Sequence, residues 1–276
     1  MRKWMWVLAL VVGVALAAPA MAIDWSASGW IGSSWANYRN ILPTTNDLKY
    51  DKFWSRARLK LTARASENLY GVMYFEMDSA NWGETGTGRN HMGRWGADQV
   101  AVEVKNCFVD FKIPGIELPV WARVGVQPFA IRPVVLLYAD GAGVTVRSKV
   151  QKVTLAAGWA KARDENTATA SDDTDAYFFM ASGKVGAFSV GGYWLFVNDL
   201  NNERELNWVG GYADGKVSGV KLTLDAIYNF GDDDDDDVDY SGYYLRGVAS
   251  YLYDKFEFGL GGHYASERDE TDADDY

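Results

Sequence analysis

The stretch FWSRARLKLTARASENLYGVMYFEMD, residues 53–78, decides how this chain is read. In its first half Arg56, Arg58, Lys60, Thr62 and Arg64 share one parity, while Phe53, Ser55, Ala57, Leu59, Leu61 and Ala63 share the other. A period of two marks a β-strand with two unlike faces. Ser66-Glu67-Asn68 reads as a tight turn. Beyond it Leu69, Gly71, Met73, Phe75 and Met77 line one face, and Tyr70, Tyr74, Glu76 and Asp78 line the other. The unit is a hairpin with a charged side and an apolar side. A chain of net charge -10 that places four cations in one row needs a reason for the row.

The same alternation recurs along the chain. Strands are expected over 25–38, 53–65, 69–79, 100–113 and 120–127. Hairpins follow over 143–150 with 154–163, 176–183 with 188–198, 206–213 with 220–230, and 243–253 with 256–266. These make about thirteen strands, where single-chain bacterial barrels have an even number. PFAIRPVVLLYAD, residues 128–140, has two prolines and no clean alternation, so it reads as a loop. Connections alternate in length. Those at 66–68, 183–187, 214–219 and 254–255 are short, and those at 40–52, 81–98, 164–175, 199–205 and 231–241 are longer and polar. Short turns at one end and long loops at the other belong to a transmembrane up-and-down β-barrel, with strands of about ten residues.

The chain's ends and composition agree with export. Arg2 and Lys3 precede an apolar run from Trp4 to Ala18 and the small-residue pattern Ala20-Met21-Ala22. That is the form of a secretory signal cut after Ala22, leaving a barrel domain over 23–276. No later run reaches the about 20 apolar residues of a helical span. One cysteine, Cys107, excludes an intrachain disulfide framework. The chain holds 12 Trp, 16 Tyr and 12 Phe, with Trp25, Trp35, Tyr38, Tyr70, Trp194, Trp208, Tyr243, Tyr251 and Tyr253 near strand ends. Amphipathic rings at that depth form interfacial girdles.

In a barrel wall the charged parity must face inward, because arginine on the lipid face costs about 2–4 kcal/mol at midplane. Arg56, Arg58, Lys60 and Arg64 therefore line the interior, with Glu76, Asp78 and Asp110 as candidate partners. Arg123, Arg132 and Asp140 complete the candidate pore-lining set. Two readings of the row stay open: a salt-bridge lattice that stiffens the wall, or a field that sorts permeating ions.

The run Asp232, Asp233, Asp234, Asp235, Asp236, Asp237 falls in an expected outer loop. Hard divalent cations take several carboxylate oxygens, so loosely held Ca²⁺ is one reading. A solvated, self-repelling loop is the other. No cofactor is expected otherwise. His91 and His263 are the histidines, and no motif surrounds either, Ser266 and Glu267 beside His263 included, so no enzyme is expected. The arginines alternate with apolar residues, which serves a wall and not a nucleic acid.

The basic strand, GVMYFEMD, the Trp-Gly-containing loop, GADQVAVEVKNCFVDFKIPG, RVGVQPFA and YADGAGVTV together resemble the outer-membrane homotrimeric porins of anaerobic sulfate-reducing bacteria. The resemblance is clearest over 97–146. It implies a homotrimer of water-filled barrels of about sixteen strands, set among lipid and lipopolysaccharide in a Gram-negative outer membrane. It also implies passive diffusion of small hydrophilic solutes past a third loop folded into the pore. Here residues 128–140 hold that loop's place, with Arg132 its cation and Asp140 its acid. The acidic cluster usual in such a loop is missing, which moves the expected preference from cations toward neutral or anionic solutes. SERDETDADDY ends the sequence without the closing strand and terminal aromatic of that family, so a truncated barrel is expected. The alternatives are a substrate-specific anion channel, a plugged structural or adhesive barrel, and a soluble secreted β-protein.

Overall fold

The computed structural model describes residues 23–39, 49–84, 100–133, 135–164, 173–233 and 238–266. The expected signal peptide lies outside them. The described residues form thirteen strands and no helix: β1 (Asp24–Arg39), β2 (Lys49–Ser66), β3 (Leu69–Asn81), β4 (Glu103–Lys112), β5 (Val120–Ile131), β6 (Leu137–Val150), β7 (Val153–Arg163), β8 (Thr174–Val185), β9 (Phe188–Asp199), β10 (Arg204–Val217), β11 (Val220–Asp233), β12 (Val238–Tyr253) and β13 (Phe256–Ala265). The fold is all-β, antiparallel and up-and-down, as the alternation implied.

The chain divides into two units, one ending at Lys105 and one starting at Asn106. In the first, β1 pairs with β2 in unbroken register from Asp24↔Arg64 to Arg39↔Lys49, and β2 pairs with β3. In the second, the strands up to β13 each pair with the next in sequence. Two-residue turns close several hairpins. At Ser218-Gly219 both residues have positive φ, 49° and 88°, as a type I′ turn requires to match strand twist.

Most strands run longer than the sequence suggests. β10 continues to Val217 and β11 to Asp233, where loops were expected from 214 and 231. Polar residues near strand ends keep their ladder bonds, and side-chain polarity does not report those. The larger departure is at 128–140. It is not a loop: β5 runs through Pro128 to Ile131, and β6 starts at Leu137. The β4–β5 register stops at Cys107↔Val126, so Pro128 lies beyond the ladder in which its missing N–H would matter.

Burial is inverted relative to a water-soluble sheet. Glu76, Asp110, Asp225, Asp233 and Gln127 are buried, while Ile31 is 75% and Leu260 83% exposed. Exposed Trp194, Val209, Leu224, Tyr228, Leu245 and Tyr251 share the apolar face of β9–β12. The opposite, ionic face holds the buried carboxylates.

Candidate functional site: ionic clusters and an inserted hairpin

In the first unit, β2 and β3 bring Arg58 opposite Glu76. Arg58 Nε donates to Glu76 Oε1 at 2.6 Å, Arg56 Nε to the same oxygen at 2.7 Å, and Lys105 Nζ lies 3.2 Å from Oε2. Arg56 also reaches Asp78 at 2.7 Å. A carboxylate only 2% exposed is sustained by three cations, which offset the cost of burying its charge. Lys60 and Arg64 differ. Both are exposed, and neither forms an ion pair among the described residues. Arg64 instead stacks on Tyr70, 4.9 Å from its ring centre.

In the second unit Asp110, expected as a partner of the β2 row, is engaged by two cations of its own unit. Arg123 Nε and Arg147 Nη2 each donate to it at 2.8 Å, and its side chain is fully buried. Arg123 lies over Phe108 at 4.3 Å. Beside this cluster, buried Gln127 donates to the carbonyl of Gly143 at 2.9 Å and accepts from Thr145 Oγ1 at 2.9 Å. Asp140 accepts from Asn106 at 2.7 Å.

Past this cluster β5 and β6 leave the sheet together. β5–β6 pairing continues from Gln127↔Gly141 to Ile131↔Leu137, while β4–β5 pairing ends at Val126 and β6–β7 pairing begins only at Ala142↔Lys161. The bend sits at the pair Gly125↔Gly143. Gly125 has φ +124°, and a Cβ there would fall 2.3 Å from the Cys107 carbonyl oxygen. A Cβ on Gly143 would meet the Trp159 carbonyl oxygen at 2.1 Å.

The freed tip lies on the ionic face of β8–β11. Phe129 and Ile131 pack with Phe178, Tyr193, Leu195 and Ile227, with Val135, Leu136 and Leu137 around them. Phe129 meets Phe178 edge-on at 6.0 Å. The facing residues of β7, Ala156, Gly158 and Ala160, are small and leave room for these rings. Arg132, with φ 45°, begins the turn, and its carbonyl accepts from the N–H groups of Val135 and Leu136 at 3.0 Å. Its guanidinium grips Asp214 through two bonds of 2.6 and 2.9 Å, bonds Asp225, and lies 4.4 Å over Tyr212. Arg246 holds the other Asp225 oxygen at 3.1 Å. A guanidinium does not lose its proton in proteins, so Arg132 remains a cation between its two carboxylates.

The sequence reading missed Arg147, Asp214, Asp225 and Arg246. Each is a charge inside an alternating strand on the polar parity, which was the available signal. Of the aspartate run, Asp232 and Asp233 belong to β11. Asp233 is buried against Arg204 and accepts from the Tyr240 hydroxyl at 3.1 Å, so it is engaged as a structural partner. Asp234 to Asp237 lie outside the described residues, as does His91. His263 stacks on Tyr244 at 5.9 Å. Trp208 and Tyr70, expected in an aromatic girdle, lie instead on the ionic parity. Trp208 packs against the hairpin core. The stacked pairs Tyr177–Phe196, Trp194–Phe196 and Tyr228–Phe230 stand on the apolar face, centroids 5.7–6.1 Å apart.

No family model matches the chain, and no curated protein is similar to it. Solved structures are. OccK8 (OprE) of Pseudomonas aeruginosa is 14% identical with a TM-score of 0.55, covering 88% of this chain and 68% of that one. The outer membrane protein OpdK of Pseudomonas aeruginosa is 13% identical with a TM-score of 0.55, covering 88% and 66%. OccAB4 of Acinetobacter baumannii is 11% identical with a TM-score of 0.54, covering 90% and 69%. The fold is the one these bacterial outer-membrane proteins share. The chain spans about two thirds of their length.

Proposed function

We propose that this chain is an outer-membrane porin, related to those of sulfate-reducing bacteria, that passes small hydrophilic solutes by diffusion. The observation that carries the reading is the inverted burial: charged side chains sealed on one face, large apolar side chains exposed on the other. Lipid is the environment that suits such an exposed face, and water the one that suits the ionic face. The girdle supports the same reading. Tyr243 and Tyr253 lie ten residues apart on the apolar face of β12. That is about 33 Å along a strand, and a tilt of about 40° turns it into the ~25 Å height of an outer-membrane apolar band.

In this reading the hairpin 127–141 narrows the lumen, and Arg132 fastens it. Lipid and lipopolysaccharide surround the barrel, and three copies assemble. Arg56, Arg58 and Arg123 are wall braces, since each is bound to a carboxylate. A second reading is a channel selective for particular anions. It is favoured by the exposed cations Lys60 and Arg64, which form no ion pair among the described residues, and OpdK, of the same fold, has been solved with vanillate.

Single-channel recording in a planar bilayer under a KCl gradient tests both. A porin gives stepwise openings, in threes for a trimer, with current linear in solute concentration. Saturating current favours the selective channel. Well-inserted protein that carries no current would sink the porin reading. Arg132→Ala is expected to raise the unit conductance and its noise, because the hairpin loses its tether.

A further inference from the structure

The ionic face of the second unit changes character along its strands. β4, β6, β8 and β10 all run toward short connections, and each sets a lysine at or one residue before its end: Lys112, Lys149, Lys184 and Lys216. Register with Asp110, Arg147, Phe178 and Asp214 puts all four on the ionic parity. Lys221, second residue of β11, stands directly opposite Lys216. Lys149, Lys184, Lys216 and Lys221 are exposed, and none forms an ion pair among the described residues. The opposite ends of β9 and β11 carry Asp199 and Asp233 on the ionic parity, with Arg204 of β10 holding Asp233.

Two details of this rim point to a ligand. Like charges directly opposed across a ladder destabilise it, yet Lys216↔Lys221 is such a pair. The cost falls when an anion sits between them. Two of the other positions also have a hydroxyl across the ladder, Lys149↔Thr154 and Lys184↔Ser189, while Lys112 faces Trp121. Ammonium beside hydroxyl is a donor set for tetrahedral oxyanions. Two acids share a recess with Lys216 and Lys221, and each has a partner of its own: Asp214 is held by Arg132, and Glu257 accepts from Ser250 at 2.7 Å. A recess of about 400 Å³ lined by Lys152, Ser182 and Lys184 contains no carboxylate.

We propose that this rim is a binding site for small multivalent oxyanions of the sulfate or phosphate type, gathered at the short-turn mouth. Its effect on current rests on the porin reading; binding itself does not. A mouth lined by one sign of charge raises the local concentration of the opposite ion. Opposite charge at the two ends also makes the current rectify.

The test uses the full chain in planar bilayers, with sulfate added to one side of a chloride current. The parent is expected to rectify and to be blocked by sulfate from one side only. Lys184→Gln/Lys216→Gln/Lys221→Gln is expected to need about tenfold more sulfate for the same block. The triple Lys→Arg variant keeps the charge and the block. Equal block from both sides, or unchanged block in the glutamine variant, overturns the proposal. If inserted parent carries no current, the porin reading fails and equilibrium dialysis of labelled sulfate decides the site. Phospholipid-free detergent there separates a soluble anion from a lipid headgroup. Binding by the parent that is lost in the glutamine variant upholds the site, and equal binding by both overturns it.

Discussion

Asp214 has several cations close to it along the ionic face, and Arg132 and Lys216 among them are treated differently. Arg132, arriving from a hairpin more than eighty residues away in sequence, takes both its oxygens. Lys216, two residues further along β10 on the same face, is left exposed. The difference follows from water. Where the hairpin covers the face, Asp225 loses solvent altogether, and a buried charge without a partner is expensive. Arginine suits that place because its planar fork bonds two carboxylates at once. At the rim a lysine keeps its ammonium hydrated and needs no partner. Pairing thus marks where the face is dry, and free lysine marks where it is wet.

The sharpest way to break that contrast is Asp225→Ala. It leaves Arg246 without its carboxylate against a covered face and takes from Arg132 one of its two. We expect a loss of about 3–5 kcal/mol, read as a lower midpoint in guanidinium unfolding followed by tryptophan fluorescence. Asp225→Asn, which keeps an acceptor oxygen, should lose less. Equal stability of Asp225→Ala and the parent would mean the hairpin is not seated on this pair.

A step down in size comes from the bend. Gly125→Ala forces a side chain into a left-handed conformation and against the Cys107 carbonyl. The strain is expected to cost about 1–3 kcal/mol. It should also let the hairpin leave the face, so that limited proteolysis cuts near residues 132–136 in the variant before the parent. Cleavage at equal rates would place the bend elsewhere.

The strand pattern was legible because side-chain parity is a local property. The facing of Arg56, Arg58, Glu76 and Asp78 could be read from residues 53–78 alone, and these residues do meet. The partnership of Arg132 with Asp214 and Asp225 could not. It depends on two strands peeling from their neighbours at Gly125↔Gly143, and nothing in the period of β10 or β11 announces a visitor. Pro128 and Pro133 pointed to a loop because a proline disrupts a ladder. Beyond Val126 the β4–β5 register has already ended, so that inference failed for a physical reason. Arg147 was legible in principle: in GVTVRSKV it shares parity with Thr145, two residues away, and Thr145 faces Arg123.

The smallest effect belongs to the rim and tests the wet half of the contrast. Lys216→Gln removes a solvated charge with no ion pair and relieves its opposition to Lys221. Stability should change by no more than about 0.5 kcal/mol, and the sign should favour the variant at low salt. Raising salt should erase the gain, since repulsion between exposed charges is screened within about 10 Å at 0.1 M. Unfolding midpoints of parent and variant across a salt series measure this. If Lys216→Gln instead cost as much as Asp225→Ala, Lys216 would be a brace like Arg132. The division of the face into a dry paired centre and a wet unpaired rim would then fall.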